Sequence, residues 1–418
     1  MPRHSKLQLQ VLNLYKQFLR ATKDKPGFEG YIRQEFRKNA TIPKTDVIRI
    51  ESIFRRVKSV FVVKNCHILS EYINSLFMTM SRLLRYCSSL VDTQSAAALY
   101  SRILSSFPSG LQMAFSYGSA VFQQEDHPSK DENMLDFIFV VDEPVKWHKE
   151  NLVLNKKHYS FLKYLGARFI TNIQDKRGSG VYFNTLIPFE NRIIKYGVIS
   201  TDRLITDLLD WDTLYVSGRL HKPVHILKFP NNQDLKNAMQ INLMSAVHCA
   251  LLLLPETFTE EELYQTITGL SYSGDFRMTI GEDKKKIEKI VKPNVIHFRK
   301  LYQSILDNEE HVYWHKDTGK FEQYPNYVSQ WHHLNLLPST VQRNLLHSRY
   351  STGRYPDYEE VLRAFAHDSN CSDHVAASIS DIVKSSSWNQ SVKGIFTAGI
   401  IKSVKYSSQK MKKMWKSK

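Results

Sequence analysis

Apolar residues recur at helical spacing early in the chain (Leu7, Val11, Leu14, Tyr15, Phe18, Leu19), which predicts a helix over 6–22 ending near Lys25-Pro26-Gly27. Further helices fit 28–39 and, after Ile42-Pro43, 44–63. Residues 65–95 match neither neighbour and read as a Ser-rich connector with a possible helix at 68–86. From Leu99 the period changes. A helix over 99–107 leads into an apolar strand at 112–117, a Gly-Ser turn and a second apolar strand at 135–141. A helix follows over 149–164. The alternating runs 181–189 and 192–200 pair as strands, 204–209 is helical, and a last strand at 224–229 follows Pro223. Helices dominate 232–340, and from Ile379 a tail interleaves Trp388, Ile395, Phe396, Ile400, Ile401 and Trp415 with lysines. The expected layout is an all-α three-helix module (1–64), a connector (65–95), an α/β domain (96–230), a helical domain (231–345) and a C-terminal region (346–418) with a basic amphipathic tail.

Charge changes this picture by its placement. The net charge of +16 is concentrated at the ends: residues 1–64 hold 15 Lys and Arg against 5 Asp and Glu, and 378–418 hold 9 Lys against Asp381 alone. The middle is therefore close to neutral. A protein that grips RNA or DNA along its body carries a basic surface there, so nucleic acid is not the expected partner. Cys66, Cys87, Cys249 and Cys371 are scattered and form no Cys-x-x-Cys pair, which speaks for a reducing compartment and against a disulfide framework or cysteine zinc site. No apolar run approaches the ~20 residues of a membrane helix. The first acid is Asp24, after Arg3, Lys6, Lys16, Arg20 and Lys23, a pattern shared by mitochondrial import segments and simple basic helices.

The chemistry concentrates between the first two strands. Tyr117-Gly118-Ser119 ends one strand, and Asp136 interrupts the apolar run Leu135–Val141. Glycine lets a backbone approach a triphosphate, and the Ser119 hydroxyl with nearby N–H groups can bond its oxygens. A carboxylate across the gap holds Mg²⁺ against the same phosphates. This is the construction of a nucleotidyltransferase. Such enzymes usually pair acids as Asp-x-Asp, yet position 138 is Ile. Asp142, Glu143, Glu190, Asp202 and Asp207 all remain open as further ligands. His221 with His225, and His311 with His315, are four apart. Pro223 breaks the first pair, and the second flanks Tyr313-Trp314 as part of an aromatic helix surface.

Several runs occur in the order of one family: Tyr117-Gly118-Ser119, Met134-Leu135-Asp136-Phe137, Trp147-His148, His158-Tyr159-Ser160-Phe161-Leu162-Lys163, Ile194-Lys195-Tyr196-Gly197-Val198-Ile199-Ser200, Asp207-Leu208-Leu209 and Gly218-Arg219-Leu220-His221-Lys222-Pro223. Over 97–418 the chain resembles the mitochondrial CDP-diacylglycerol synthases (phosphatidate cytidylyltransferases, the translocator assembly and maintenance family), in which Ile at position 138 is ordinary. The resemblance implies a nucleotidyltransferase-fold domain beside a helical, winged-helix-like domain. It implies a peripheral protein on the matrix side of the mitochondrial inner membrane, acting within cardiolipin synthesis. The implied reaction joins CTP and phosphatidic acid, with Mg²⁺, into CDP-diacylglycerol and pyrophosphate. Gly118 and Ser119 would then seat the triphosphate and Asp136 would hold metal. Lys195, with Lys222 second, would offset charge on the leaving pyrophosphate. Tyr117 and Tyr196 can stack on cytosine, although core packing suits either.

The lysine-rich tail suits an anionic bilayer, each basic residue adding about 1 kcal/mol near such a surface. Gly394 and Gly399 weaken it as a free helix, so it is expected to order on the membrane. The first 60 residues resemble the LYR-motif family: Leu14-Tyr15-Lys16 stands where the family has Leu-Tyr-Arg, Phe36 lies at the downstream Phe, and Asp46–Glu51 with Arg55-Arg56 is similar to its succinate dehydrogenase assembly branch. That resemblance implies binding to an iron–sulfur subunit or its delivery chaperones. Lys16 keeps the charge but lacks the fork of an Arg. An assembly factor with a non-catalytic remainder is the alternative reading.

Overall fold

The structure, a computed structural model, describes residues 91–119, 121–122, 134–280, 285–315, 317–349 and 358–399. The three expected N-terminal helices, most of the connector and the end of the tail lie outside them. The chain divides into two compact units, 1–98 and 99–418.

Helix α1 (Val91–Ser105) leads into β1 (Leu111–Tyr117), and β2 (Leu135–Val141) follows. Next come α2 (Pro144–Leu154), two short 3₁₀ turns (Lys156–His158 and Phe161–Leu165) and α3 (Gly166–Lys176). The single helix expected over 149–164 is thus an earlier helix and two turns. Pro144 starts α2 in the first turn, where its missing N–H costs nothing. Ser160 accepts from the Leu162 N–H to begin the second turn. The hairpin β3 (Tyr182–Phe189) and β4 (Arg192–Ser200) is as read, followed by α4 (Thr201–Asp210), α5 (Ser217–Leu220) and β5 (His225–Lys228).

The five strands form one mixed sheet in the order β3-β4-β2-β1-β5. The β2–β4 pair is parallel and the others are antiparallel. Period-2 alternation sends side chains to two dry faces. Phe137, Phe139, Tyr196 and Val198 pack under Ile103, Phe107 and Trp147 on one side. On the other side Phe115, Ile138, Val140 and Ile199 pack with Leu204, Leu208 and Leu235. With both faces covered, the central strands read as continuous apolar runs.

The remaining elements build a mainly helical region around a second core. They are α6 (Gln233–Leu253), β6 (Thr257–Thr259), α7 (Glu260–Leu270), α8 (Phe276–Ile280), α9 (Lys286–Val291), α10 (Val295–Leu306), β7 (Val312–His315), β8 (Lys320–Gln323), α11 (Tyr327–Leu336), α12 (Ser339–Arg349), α13 (Tyr358–Ala366) and α14 (Cys371–Ala398). Strands β6-β8-β7 make a small antiparallel sheet among helices. The sequence pattern missed it because each strand has only three or four residues. His315 accordingly sits on a strand and contacts Glu322, which corrects the helical setting expected for it.

Helix α14 also departs from expectation. It runs unbroken through Gly394 and packs on the large sheet's domain. Gln390 accepts from the Ser179 N–H and donates to the Val181 carbonyl, and the Lys393 ammonium donates to the Gln174 and Arg177 carbonyls. This stretch is therefore ordered by protein contacts. Residues 400–418 lie outside the described ones.

Candidate active site

Register brings the first three expected site residues together. Tyr117 is paired with Asp136 across β1 and β2, and Asp136 with Lys195 across β2 and β4. Gly118 follows Tyr117 with φ +89°, a conformation open to glycine at little cost. Its carbonyl accepts from the N–H groups of Val121 and Phe122, closing the turn. A Cβ on Gly118 would stand 3.5 Å from Asp136 Oδ2, so the turn's backbone lies directly beside the carboxylate. Ser119 is the next residue of the turn and is partly buried.

The Lys195 ammonium lies 3.5 Å from Asp136 Oδ1 and over the Phe183 ring at 4.6 Å. Both members of the pair keep some contact with solvent, 17% and 24% exposed. Asp136 sits on a central strand, and its Oδ1 is buried and accepts no hydrogen bond. An acceptor in that condition fits a hard cation, which prefers oxygen ligands. Mg²⁺ therefore fits this carboxylate, with most of its shell left for water and phosphate oxygens.

The other acids named from the sequence stand away from this pair or are committed elsewhere. Asp142 is at the far end of β2, roughly 20 Å along the strand by the usual rise, and accepts from Gln112 and Thr201. Asp202 lies in the first turn of α4, beyond the far end of β4. Glu143 pairs with Lys146, and Glu190 takes a two-pronged bond from Arg102. Asp207 is fully buried and accepts four hydrogen bonds, from the Thr213 N–H and hydroxyl and from the Val216 and Ser217 N–H groups. It is a loop anchor. Ile138 fills dry core against the site of Gly197, where a Cβ would come within 2.9 Å of its Cδ1. A second acid at that position would be buried charge.

A group of cations lies over the same face of the sheet, and pattern reasoning found only part of it. Asp207 fixes the loop that carries α5, and Asn242 of α6 reinforces it. The Asn242 side chain accepts from the Trp211 indole N–H and His221 Nε2, and donates to the Ser217 carbonyl. Held this way, the Arg219 guanidinium lies between the rings of Tyr117 (5.1 Å) and Tyr215 (4.2 Å) and donates to the Tyr215 carbonyl. The Lys222 ammonium donates to the Gly218 carbonyl and, at 2.8 Å, to the Ser271 hydroxyl. Burial, and then the charges of Arg219 and Lys286, drive that ammonium well below the ordinary lysine range. Arg277 is held by a two-pronged pairing with Asp275.

Tyr215 reports the resulting potential. Burial pushes its phenol up, yet Arg219, Arg277 and Lys195 outweigh burial and hold it below the ordinary tyrosine value. A buried phenol lowered in this way marks a region that favours negative charge. Arg219 stood in the sequence reading only within its motif run, with no role, and Arg277 was not named. The signal for Arg219 was its place between Gly218 and Lys222. Arg277 had none, since it reaches the site from a different region of the chain.

The remaining sequence candidates separate. Tyr196 points to the opposite face from Lys195, fully buried among Phe107, Phe139 and Trp147, with its hydroxyl bonded to Asn151. The ring of Tyr117 meets Arg219. His221 is buried on Asn242, whereas His225 lies against the Tyr100 ring at a tilt, so they share no ligand position.

A glycine turn and a carboxylate–ammonium pair thus stand at one end of the mixed sheet of an α/β protein, near clustered basic side chains. Residues 100–413 match the family model described as phosphatidate cytidylyltransferase, mitochondrial, and the chain belongs to that family. Relatives bearing that description include proteins of Danio rerio (52% identical, covering 78% of this chain and 98% of the relative) and Mus musculus (52%, covering 75% and 94%). A Caenorhabditis elegans protein of the same description is 40% identical, covering 76% of this chain and 99% of the relative. Residues 9–61 separately match the model of Complex 1 protein (LYR family), so the chain carries an LYR segment ahead of the cytidylyltransferase match.

Proposed function

We propose that this protein is a mitochondrial phosphatidate cytidylyltransferase, using CTP and phosphatidic acid to make CDP-diacylglycerol and pyrophosphate. The observation that carries this reading is the alignment of Gly118, Asp136 and Lys195 across three neighbouring strands, facing the Arg219–Lys222 cations. In this reading the large sheet is a nucleotidyltransferase fold, and the helical region with its small sheet is its winged-helix-like companion.

The lipid phosphate oxygen attacks the α-phosphorus of CTP in line, and the bond to the β-phosphate bridge breaks to release pyrophosphate. Gly118 and Ser119 seat the triphosphate at the turn. Lys195 offsets charge that grows on the leaving pyrophosphate, Arg219 extends that positive field, and Lys222 adds an N–H donor beside it. Asp136 would hold Mg²⁺, which would supply neutralisation of phosphate oxygens.

The lipid substrate calls for a bilayer, and one surface suits it. Phe161, Tyr164, Ile395 and Phe396 are exposed, and the Ser160 hydroxyl donates to the Phe396 carbonyl, so the 3₁₀ turn and the end of α14 are contiguous. Lys156 and Lys157 are exposed on the neighbouring turn. This fits peripheral attachment to anionic lipid of the inner membrane on the matrix side. Among the described residues no helix is long and apolar enough to cross a membrane.

The test supplies the full chain with phosphatidic acid vesicles, Mg²⁺ and CTP labelled at either the α- or the γ-phosphate. Label from the α-position alone is expected in lipid. Label from the γ-position in lipid, or none from either, would overturn the reading.

The match over residues 9–61 favours a second activity alongside the first: binding of an iron–sulfur subunit or its delivery chaperone. Exchange of Leu14 and Tyr15 for Ala is expected to abolish such capture while CDP-diacylglycerol synthesis continues. Unchanged capture would sink the LYR role.

A further inference from the structure

Four side chains from three separate segments converge beside the second core, remote from the glycine turn in chain order. His248 comes from α6, Glu309 from the turn between α10 and β7, and His332 and His333 from α11. One ligand atom from each lies within 4.8 Å of every other. His248 Nδ1 is 3.1 Å from His333 Nδ1 and 3.4 Å from Glu309 Oε2, and His332 Nε2 is 4.0 Å from Glu309 Oε1. Ligand atoms about 2.0–2.1 Å from a tetrahedral ion stand roughly 3.3 Å from one another. Two of these spacings already meet that value, and the third closes with a small turn of His332, whose side chain is 42% exposed.

We propose that His248, Glu309, His332 and His333 form a binding site for a divalent transition metal ion of the zinc type, clamping α6 to α11 and the α10–β7 turn.

The donor set selects the metal class. Imidazole nitrogen with a single carboxylate suits zinc and its neighbours, whereas magnesium and calcium take oxygen shells. The carboxylate also needs a cation. Glu309 is 6% exposed, and among the described residues its neighbours are imidazoles and the His311 N–H, with no Lys or Arg in ion-pair reach. A buried carboxylate with no Lys or Arg beside it is costly, and a bound dication removes that cost. Two Nδ1 atoms at 3.1 Å can share one proton, or both can ligate. His333 Nε2 is buried with no hydrogen-bond partner, so few other bonds fix that ring. Three nitrogens and one oxygen complete a closed, structural type of site, and half-exposed His332 gives the ion a way in. No local motif announced it, because only His332 and His333 are neighbours in sequence.

The test uses the full chain purified without a polyhistidine tag, dialysed against metal-free buffer and loaded with Zn²⁺ or Co²⁺. The wild type is expected to retain about one equivalent of Zn²⁺, to gain the strong visible absorption of tetrahedral Co²⁺, and to melt higher with Zn²⁺. The His332→Ala variant, at a half-exposed position that should not compromise folding, is expected to lose all three responses. Its Zn²⁺ affinity should fall beyond the ~10–100-fold typical of losing an outer-shell partner. His315→Ala, outside the cluster, should keep them. A folded wild type that retains no metal and gives no Co²⁺ band would overturn the proposal. So would retention by His332→Ala equal to that of the wild type.

Discussion

Lys195 and Asp136 meet because β2 and β4 run parallel in register, and the Lys195 ammonium rests over the Phe183 ring. An ammonium so placed does little for the stability of a pair that water partly reaches. In the proposed reaction its value lies in the charge it presents to phosphate. Replacing Lys195 with Met is expected to lower kcat by about 10²–10³-fold, the usual cost of one charge-stabilising donor. The same change should leave the denaturation midpoint within a few tenths of the wild-type value in molar denaturant. Steady-state CDP-diacylglycerol formation and chemical denaturation read the two effects separately. Asp136 and Lys195 were legible as residues because charge inside an apolar run demands a reason. Asp207 was legible too, but its role was not, since only the folded loop shows its four hydrogen bonds.

Among elements, the short helix α5 depends on close packing that one glycine permits. A Cβ on Gly218 would meet Ser271 Cβ at 2.4 Å, and both residues accept from Lys222. Gly218→Ala should therefore cost about 1–3 kcal/mol by overpacking and weaken CTP binding by displacing Lys222, measured by denaturation and by equilibrium binding.

Helix α14 gives a pH-dependent prediction. Burial brings the Lys393 ammonium down to about 7, with Asp175 raising it and Arg203 lowering it to smaller degrees. Between that value and the ordinary lysine value near 10.5 the unfolded chain binds the proton more tightly. Folding stability must then rise with pH across that window. The stability of the wild type relative to Lys393→Met is expected to increase from pH 7 to pH 10 and to be flat below pH 6. A flat difference throughout would show that Lys393 keeps its ordinary value.

The strands of the large sheet were legible to within a residue or two because long apolar runs of period 2 admit few alternatives. The small sheet and the course of α14 were not, since three-residue strands carry no period and a helix dotted with Ser, Lys and Gly reads as a tail.

At the scale of the molecule, the chain joins an LYR segment to a phosphatidate cytidylyltransferase match that spans most of its length. The uneven charge was readable from composition, but the site's local cations were not, because Asp275 and other acids balance them in the total. The exposed surface around Phe161 and Phe396 was half visible, as the aromatic tail; the contribution of the 3₁₀ turn appears only in the fold. Phe396→Glu should weaken binding to anionic vesicles by about 10-fold or more, the worth of one buried aromatic side chain, with CTP binding unchanged. Vesicle sedimentation beside CTP titration checks both halves.

Among the described residues, Asp136 is the carboxylate beside the glycine turn, and the proposed chemistry depends on it most. Its direct test compares the full-length wild type with Asp136→Asn in CDP-diacylglycerol formation from CTP and phosphatidic acid vesicles across a range of Mg²⁺. The variant keeps the volume and loses the charge. A fall of roughly 10³-fold or more in kcat, matching the several kcal/mol that metal stabilisation supplies, with the fold intact by circular dichroism, is the predicted result. Wild-type turnover and Mg²⁺ dependence in Asp136→Asn would contradict the account and move the site away from the β1–β2 turn.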